Sequence, residues 1–189
     1  FEMKAEESME RHMASIAGVS YSSIQTKSLS TYELKQAFKS FMEFMELGEK
    51  NGNRFSVKSM SSSTPADIIS RFKGFKYDVI YLDYLKLMEP SGDRKYSGEA
   101  QRLDDMGSQL KKAATEMNVV LWGLAQMDEE TEKLRYSKAL LEHANNVWQW
   151  KYKEAERATS MITVNQSAAR SWEPFDFHLK TDFKHARVV

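Results

Sequence analysis

Two short apolar runs on either side of an amphipathic helix restrict this chain's fold more than any other feature. Val79–Leu82 and Val119–Ala125 carry no charged side chain. Between them, after a polar loop from Glu89 to Gly98, Leu103, Met106, Leu110, Ala113, Ala114 and Met117 recur at helical spacing. Strand, long helical connection, strand is the signature of parallel pairing, because two antiparallel strands need only a tight turn. An unbroken apolar run further predicts a strand covered on both faces.

The flanking segments fit the same plan. Met9, Met13, Ile16 and Ala17 predict a helix from about Ala5 to Gly18. Ser30 with Glu33 three residues on forms a capping box, and Leu34, Ala37, Phe38, Phe41, Met42 and Met45 carry a second helix to Gly48. Arg54–Met60 alternates like a strand, and Ser59–Thr64 reads as a strand-to-helix loop. Thr64 and Pro65 then stand as N-cap and first residue of a helix. After a short helix in SKALLEHA, the stretches NVWQWK, SMITVN, PFDFHLK and HARVV predict antiparallel strands that extend the same sheet. The expectation is an α/β layer fold, a mostly parallel sheet flanked by helices with antiparallel C-terminal strands, in one domain over residues 1–189.

Composition removes several functions. The 27 basic and 27 acidic residues cancel, so contact with nucleic acid has to come from a local patch. There is no Cys, which excludes disulfides and thiolate metal sites, and the four His (12, 143, 178, 185) lack ligand spacing. No apolar run approaches the roughly 20 residues that span a bilayer. A cytoplasmic protein is expected.

In open α/β sheets, ligands bind at the carboxyl ends of the strands. Asp83 follows the first apolar run and Gln126 the second. A carboxylate there suits Mg²⁺, a hard cation that keeps several waters, and a carboxamide can bond a phosphate oxygen without adding charge. Each residue taken alone is also an ordinary polar strand end or loop cap.

DVIYLDYLKLM resembles the Walker B strand of the DnaB-like replicative helicases, which are RecA-fold ATPases. QRLDDMGSQLKKAATEMNVVLWGLAQM is similar to their next helix and the strand that ends in a sensor Gln. FEMKAEESMERHMASIAGVSYSSIQ resembles the family's segment in which a strand ends in an acid and leads into a helix. The short inter-strand segment and EPFDFHLKTDFKHARV are closer to the phage branch than to the bacterial one. The resemblance implies a RecA-like P-loop NTPase core that uses Mg²⁺ and ATP or another NTP. It also implies a ring, most often a hexamer, of identical subunits that translocates on single-stranded DNA in replication, with primase or a loader as further partners, in the cytoplasm of the host if phage-encoded. By residue, it implies Glu2 as general base, Asp83 as the carboxylate of the Mg²⁺ shell, Gln126 as γ-phosphate sensor and Arg170 as a finger reaching the neighbouring subunit's site. Its DNA loops would carry Arg94, Lys95 and Arg102 in the first, and Lys133, Arg135 and Lys138 in the second.

The sequence departs from that pattern in three places. Met127, Asp128 and Glu129 follow Gln126 where the pattern continues L-N-R, and Ala168 stands where a Lys precedes the finger Arg. No G-x-x-x-x-G-K-[ST] occurs among the eight Gly, so the loop that cradles phosphates in this family is missing. Because that loop lies upstream of the FEM-like acid in the family, the expectation is a piece of a helicase motor that is inactive alone. Two alternatives stand beside it: another RecA-fold ATPase, such as a recombinase, RadA-like or KaiC-like protein, and a P-loop-less oligomerisation or DNA-binding module.

Overall fold

A computed structural model describes residues 4–60, 63–126, 138–151, 159–170, 173–185 and 187–188. In chain order the helices are α1 (Ala5–Ala17), α2 (Tyr21–Gln25), α3 (Thr31–Lys50), α4 (Pro65–Phe72), α5 (Glu99–Met117) and α6 (Lys138–His143). The strands are β1 (Val79–Leu82), β2 (Val120–Gly123), β3 (Asn146–Lys151), β4 (Met161–Ala169), β5 (Asp176–Asp182) and β6 (Arg187–Val188). The chain divides into two compact units, one within Ser59–Asn145 and the other joining the stretch before Lys58 to that after Asn146. No helix among the described residues is long and apolar enough to cross a membrane.

In the Ser59–Asn145 unit, β1 and β2 pair in parallel with Val79 opposite Val120 and Leu82 opposite Gly123. One face of the pair rests on a core of Ile68 from α4, Leu82, Leu85 and Met88 around the end of β1, and Leu103, Met106 and Leu110 from α5; Ile80 and Leu121 pack against it. The other face, with Val79, Tyr81, Val120 and Trp122, is exposed. The expected cover on both faces is therefore corrected to cover on one. An unbroken apolar run records which side chains a strand carries, and not which elements pack on it.

Helix α4 begins as its sequence requires. Thr64 accepts from the Asp67 backbone N–H, the Asp67 carboxylate accepts from the Thr64 backbone N–H at 2.8 Å, and Pro65 occupies the first turn. Helix α5 ends on Asn118 in the left-handed region, φ 52°. Gly107 in its middle faces α6, where an added Cβ would lie 2.8 Å from His143 Cδ2 and 3.2 Å from Leu140 Cδ1. The contact therefore needs a residue with no side chain.

In the second unit, α1 closes on Gly18 at φ 67° and packs against α3, burying Ala14, Ala37 and Phe41. Ser30 and Glu33 form the expected capping box. Helix α2 has no clear signal in sequence and is tied back to α1 through its first residue: the Tyr21 hydroxyl donates to Glu7 at 3.2 Å, and Arg11 lies 5.1 Å from the Tyr21 ring centre. Strands β3 to β6 form an antiparallel sheet in sequence order. A bulge follows Val147 in β3, and Trp148, Phe175 and Phe177 meet edge to face and tilted at 5.4–6.0 Å.

Two further expectations are corrected. Residues 53–60 form no strand. Their alternating pattern finds no neighbour to complete a ladder, and the one bridge nearby, Ser63 with Met88, lies beyond them. The antiparallel strands, expected to extend the parallel sheet, form a ladder separate from β1–β2 among the described residues.

Thr64→Ala removes the cap of α4 and is expected to cost about 1 kcal/mol, read from urea unfolding followed by Trp fluorescence. Asp67 is held below the ordinary aspartate value of 3.8, chiefly by the Thr64 backbone N–H and then by its hydroxyl. A depressed carboxyl contributes stability above its unfolded pKa and loses it as pH falls through the folded one. The difference between wild type and Thr64→Ala should accordingly shrink below pH 3.8.

Candidate functional site

The carboxyl edge of the parallel pair is built by three contacts. Leu124 N–H donates to Leu82 O at 3.0 Å and Leu85 N–H donates to Leu124 O at 2.9 Å, so the two chains remain bonded one step past their strands. Asp83 lies between the two β1-side residues of these bonds, and its peptide to Tyr84 is cis. The third contact is apolar. A Cβ on Gly123 would stand 2.7–2.9 Å from Leu85 Cδ1, Cδ2 and Cγ, so Leu85 packs directly over the β2 backbone. A short 3₁₀ turn, Leu85–Leu87, follows at once and fixes where the chain leaves the edge.

Asp83 and Gln126 are both exposed at this edge. Gln126 is two residues beyond Leu124, so the structure brings this predicted pair to the same end of adjacent strands. The sequence reading missed Gly123; a lone Gly inside an apolar strand, which marks a close approach to its backbone, was the available signal.

The first candidate loop, Glu89 to Gly98, is fastened to α5 at several points. Arg102 donates to Met88 O at 3.0 Å and pairs with Glu89 at 3.0 Å and Glu99 at 3.2 Å, with its side chain 18% exposed. Gln109 accepts from Ser91 N–H at 2.7 Å. Asp105 receives Arg94 at 3.1 Å, the Tyr96 hydroxyl at 2.7 Å and Gln109 at 3.0 Å, and the hydrogen bond from Tyr96 raises that phenol above its ordinary value. Of the three cations assigned to this loop, Lys95 alone has no ion pair among the described residues.

The remaining predicted residues are placed as follows. Arg170 is exposed directly after β4, in the other compact unit. Ala168, at the expected Lys position, pairs with Val147. Glu2, Lys133 and Arg135 lie outside the described residues, as do Met127, Asp128 and Glu129. Lys138 opens α6, and its side chain is not among those described. No group of three or more His, Asp or Glu able to hold a metal occurs among the described residues.

A parallel pair with an acid and a carboxamide at its carboxyl edge, joined through a buried helix, is the layout of a RecA-like α/β core. A family model, "DnaB-like helicase C terminal domain", matches residues 1–141, and the chain belongs to that family. No curated protein matches the chain. Among solved structures it is similar to one described as a helicase-type "ATPase Domain", with TM-score 0.82 and 16% identity, covering 100% of this chain and 71% of that one. It is also similar to a DnaB-like replicative helicase described together with its interactions with primase, with TM-score 0.81 and 16% identity over 100% of this chain. The chain spans 48% of that second structure.

Gly123→Ala inserts a methyl into the Leu85 side chain. It is expected to cost about 1–3 kcal/mol of stability, measured by urea unfolding, whereas the same substitution at the open Gly74 should leave the midpoint unchanged.

Proposed function

We propose that this chain is motor-domain sequence of a ring-forming replicative DNA helicase that couples NTP hydrolysis to movement along single-stranded DNA. The observation that carries the reading is the placement of Asp83 and Gln126 at the shared carboxyl edge of β1 and β2, in a chain of the DnaB-like family. The family membership favours a helicase over a recombinase, RadA-like or KaiC-like protein.

The donor set at this edge fits one side of an Mg²⁺–NTP site. An exposed carboxylate that belongs to no described cluster of three acids suits Mg²⁺, which demands octahedral geometry and retains water, better than Ca²⁺, which takes six to eight oxygen ligands. When bound, the ion would neutralise charge on the phosphate oxygens. Asp83 would orient water ligands of that ion. Gln126, neutral and at the end of the neighbouring strand, would donate its amide to a terminal phosphate oxygen and carry the presence or loss of that oxygen along β2. Glu2 would accept a proton from the attacking water. Arg170, permanently charged and planar, would stabilise transition-state charge at a neighbouring copy's site. The phosphate-cradling G-x-x-x-x-G-K-[ST] is not among these 189 residues, so this chain contributes the metal, sensor and finger side of the reaction.

Arg94, Lys95 and Arg102 of the first loop, and Lys133, Arg135 and Lys138 of the second, are the proposed strand-contacting cations. A few per subunit suffice, because a hexamer repeats them around its channel. Primase or a loader would be further partners, and the host cytoplasm the place of action if the gene is a phage's.

The gene's full reading frame, expressed and purified, is expected to hydrolyse NTP in a way that depends on Mg²⁺ and is stimulated by single-stranded DNA. Asp83→Asn should lower kcat about 100-fold or more, and Arg170→Ala about 1,000-fold or more. Mixing the two inactive variants should restore part of the activity, because some interfaces then combine an intact Asp83 with an intact Arg170. Wild-type turnover by Asp83→Asn would sink the motor reading; no recovery on mixing would remove Arg170 as a finger in trans.

A further inference from the structure

Between the first loop, α5 and α6 the protein forms an open groove of about 390 Å³, a volume within the roughly 300–1,000 Å³ of small-ligand sites. Two acids line it, and both are already engaged. Asp105 accepts from Arg94, Tyr96 and Gln109 at 2.7–3.1 Å; Asp104 meets His143 Nε2 at 2.8 Å. The capacity left over belongs to donors. Lys95 has no ion pair and the Ser108 hydroxyl no hydrogen bond among the described residues, while Gln101 accepts from Ser97 through Oε1 and keeps its Nε2 amide unspent. The Tyr96 ring, pinned by its hydroxyl on Asp105, supplies an aromatic wall.

Donors beside one aromatic ring select a ligand with an anionic group, acceptor atoms and a flat face. They do not select a metal ion, which would need free acceptors. We infer that this groove receives one nucleotide of single-stranded DNA, with its phosphate at Lys95, its base on the Tyr96 ring and base acceptors toward Gln101 and Ser108. The inference rests on the DNA-translocation reading and adds a base contact to what would otherwise be phosphate tracking by loop cations. Stacking of this kind tolerates any base, since each has a π face.

The test is fluorescence anisotropy with the full protein, a labelled oligo-dT, an abasic oligonucleotide of equal length, and dTMP as competitor. Tyr96→Ala should weaken oligo-dT binding about 5- to 150-fold and leave abasic binding unchanged. Tyr96→Phe keeps the ring and should retain most of the base-dependent affinity. Lys95→Gln, at an exposed side chain with no ion pair to lose, should reduce the salt slope of binding by about 0.7 per subunit contacted. Equal binding of oligo-dT and abasic strand, or wild-type affinity in Tyr96→Ala, would overturn the groove while leaving DNA binding intact. If dTMP competed as well as the strand, the groove would belong to a free nucleotide and the strand assignment would fall. No binding of either oligonucleotide by wild type would instead bring down the DNA reading itself.

Discussion

The bonded extension of β1 and β2 past their last paired residues is the constraint on which the site depends. Two backbone hydrogen bonds, Leu124 to Leu82 and Leu85 to Leu124, hold the chains together beyond the end of the ladder. Leu85 can take part only because Gly123 leaves room for its side chain over β2. Asp83 is therefore fixed from both sides by main-chain geometry, and its exposure costs the structure little. A carboxylate held by backbone at an exposed edge is suited to organising a hydrated cation without first being desolvated.

Helix α5 is the second organising element, and it works through both faces. Leu103, Met106 and Leu110 bury the core side. On the other side Arg102, Asp105 and Gln109 hold the Glu89–Gly98 loop, and Asp104 meets α6 through His143. This explains why the loop's charge could not be interpreted from sequence. Arg94, Lys95 and Arg102 look equivalent as letters. Folded, Arg94 and Arg102 are ion-paired within the chain and Lys95 is not. Exposed ion pairs contribute about 0–1 kcal/mol, but Arg102, mostly shielded and bonded to a main-chain carbonyl, is committed more firmly than Arg94.

What could be read in the sequence was local. The caps at Ser30 and Thr64, the stop at Gly18, the helix from Glu99 and the two parallel strands each depend on residues within a few positions. What could not be read depends on distant partners. Residues 53–60 alternate like a strand, yet alternation supplies a face and not a neighbour to pair with. Val79, Tyr81, Val120 and Trp122 have a buried strand's composition and stand exposed, because composition cannot report which element packs on them. Asp83 and Gln126 were visible as a pair because a parallel βαβ unit has only one carboxyl edge, whereas Gly123 needed the packing of Leu85 to acquire meaning.

The same distinction bears on Arg170. Its position just after β4 follows from a local pattern, and Ala168 beside it pairs with Val147 in the ladder. A Lys at position 168 could add a second cation beside the finger; Ala cannot. Any contact with phosphate from this end of β4 then falls to one guanidinium, whose five donors and fixed fork can still engage two oxygens at once. A site that relies on one bidentate group should tolerate Lys at 170 poorly, since an ammonium keeps the charge but loses the fork.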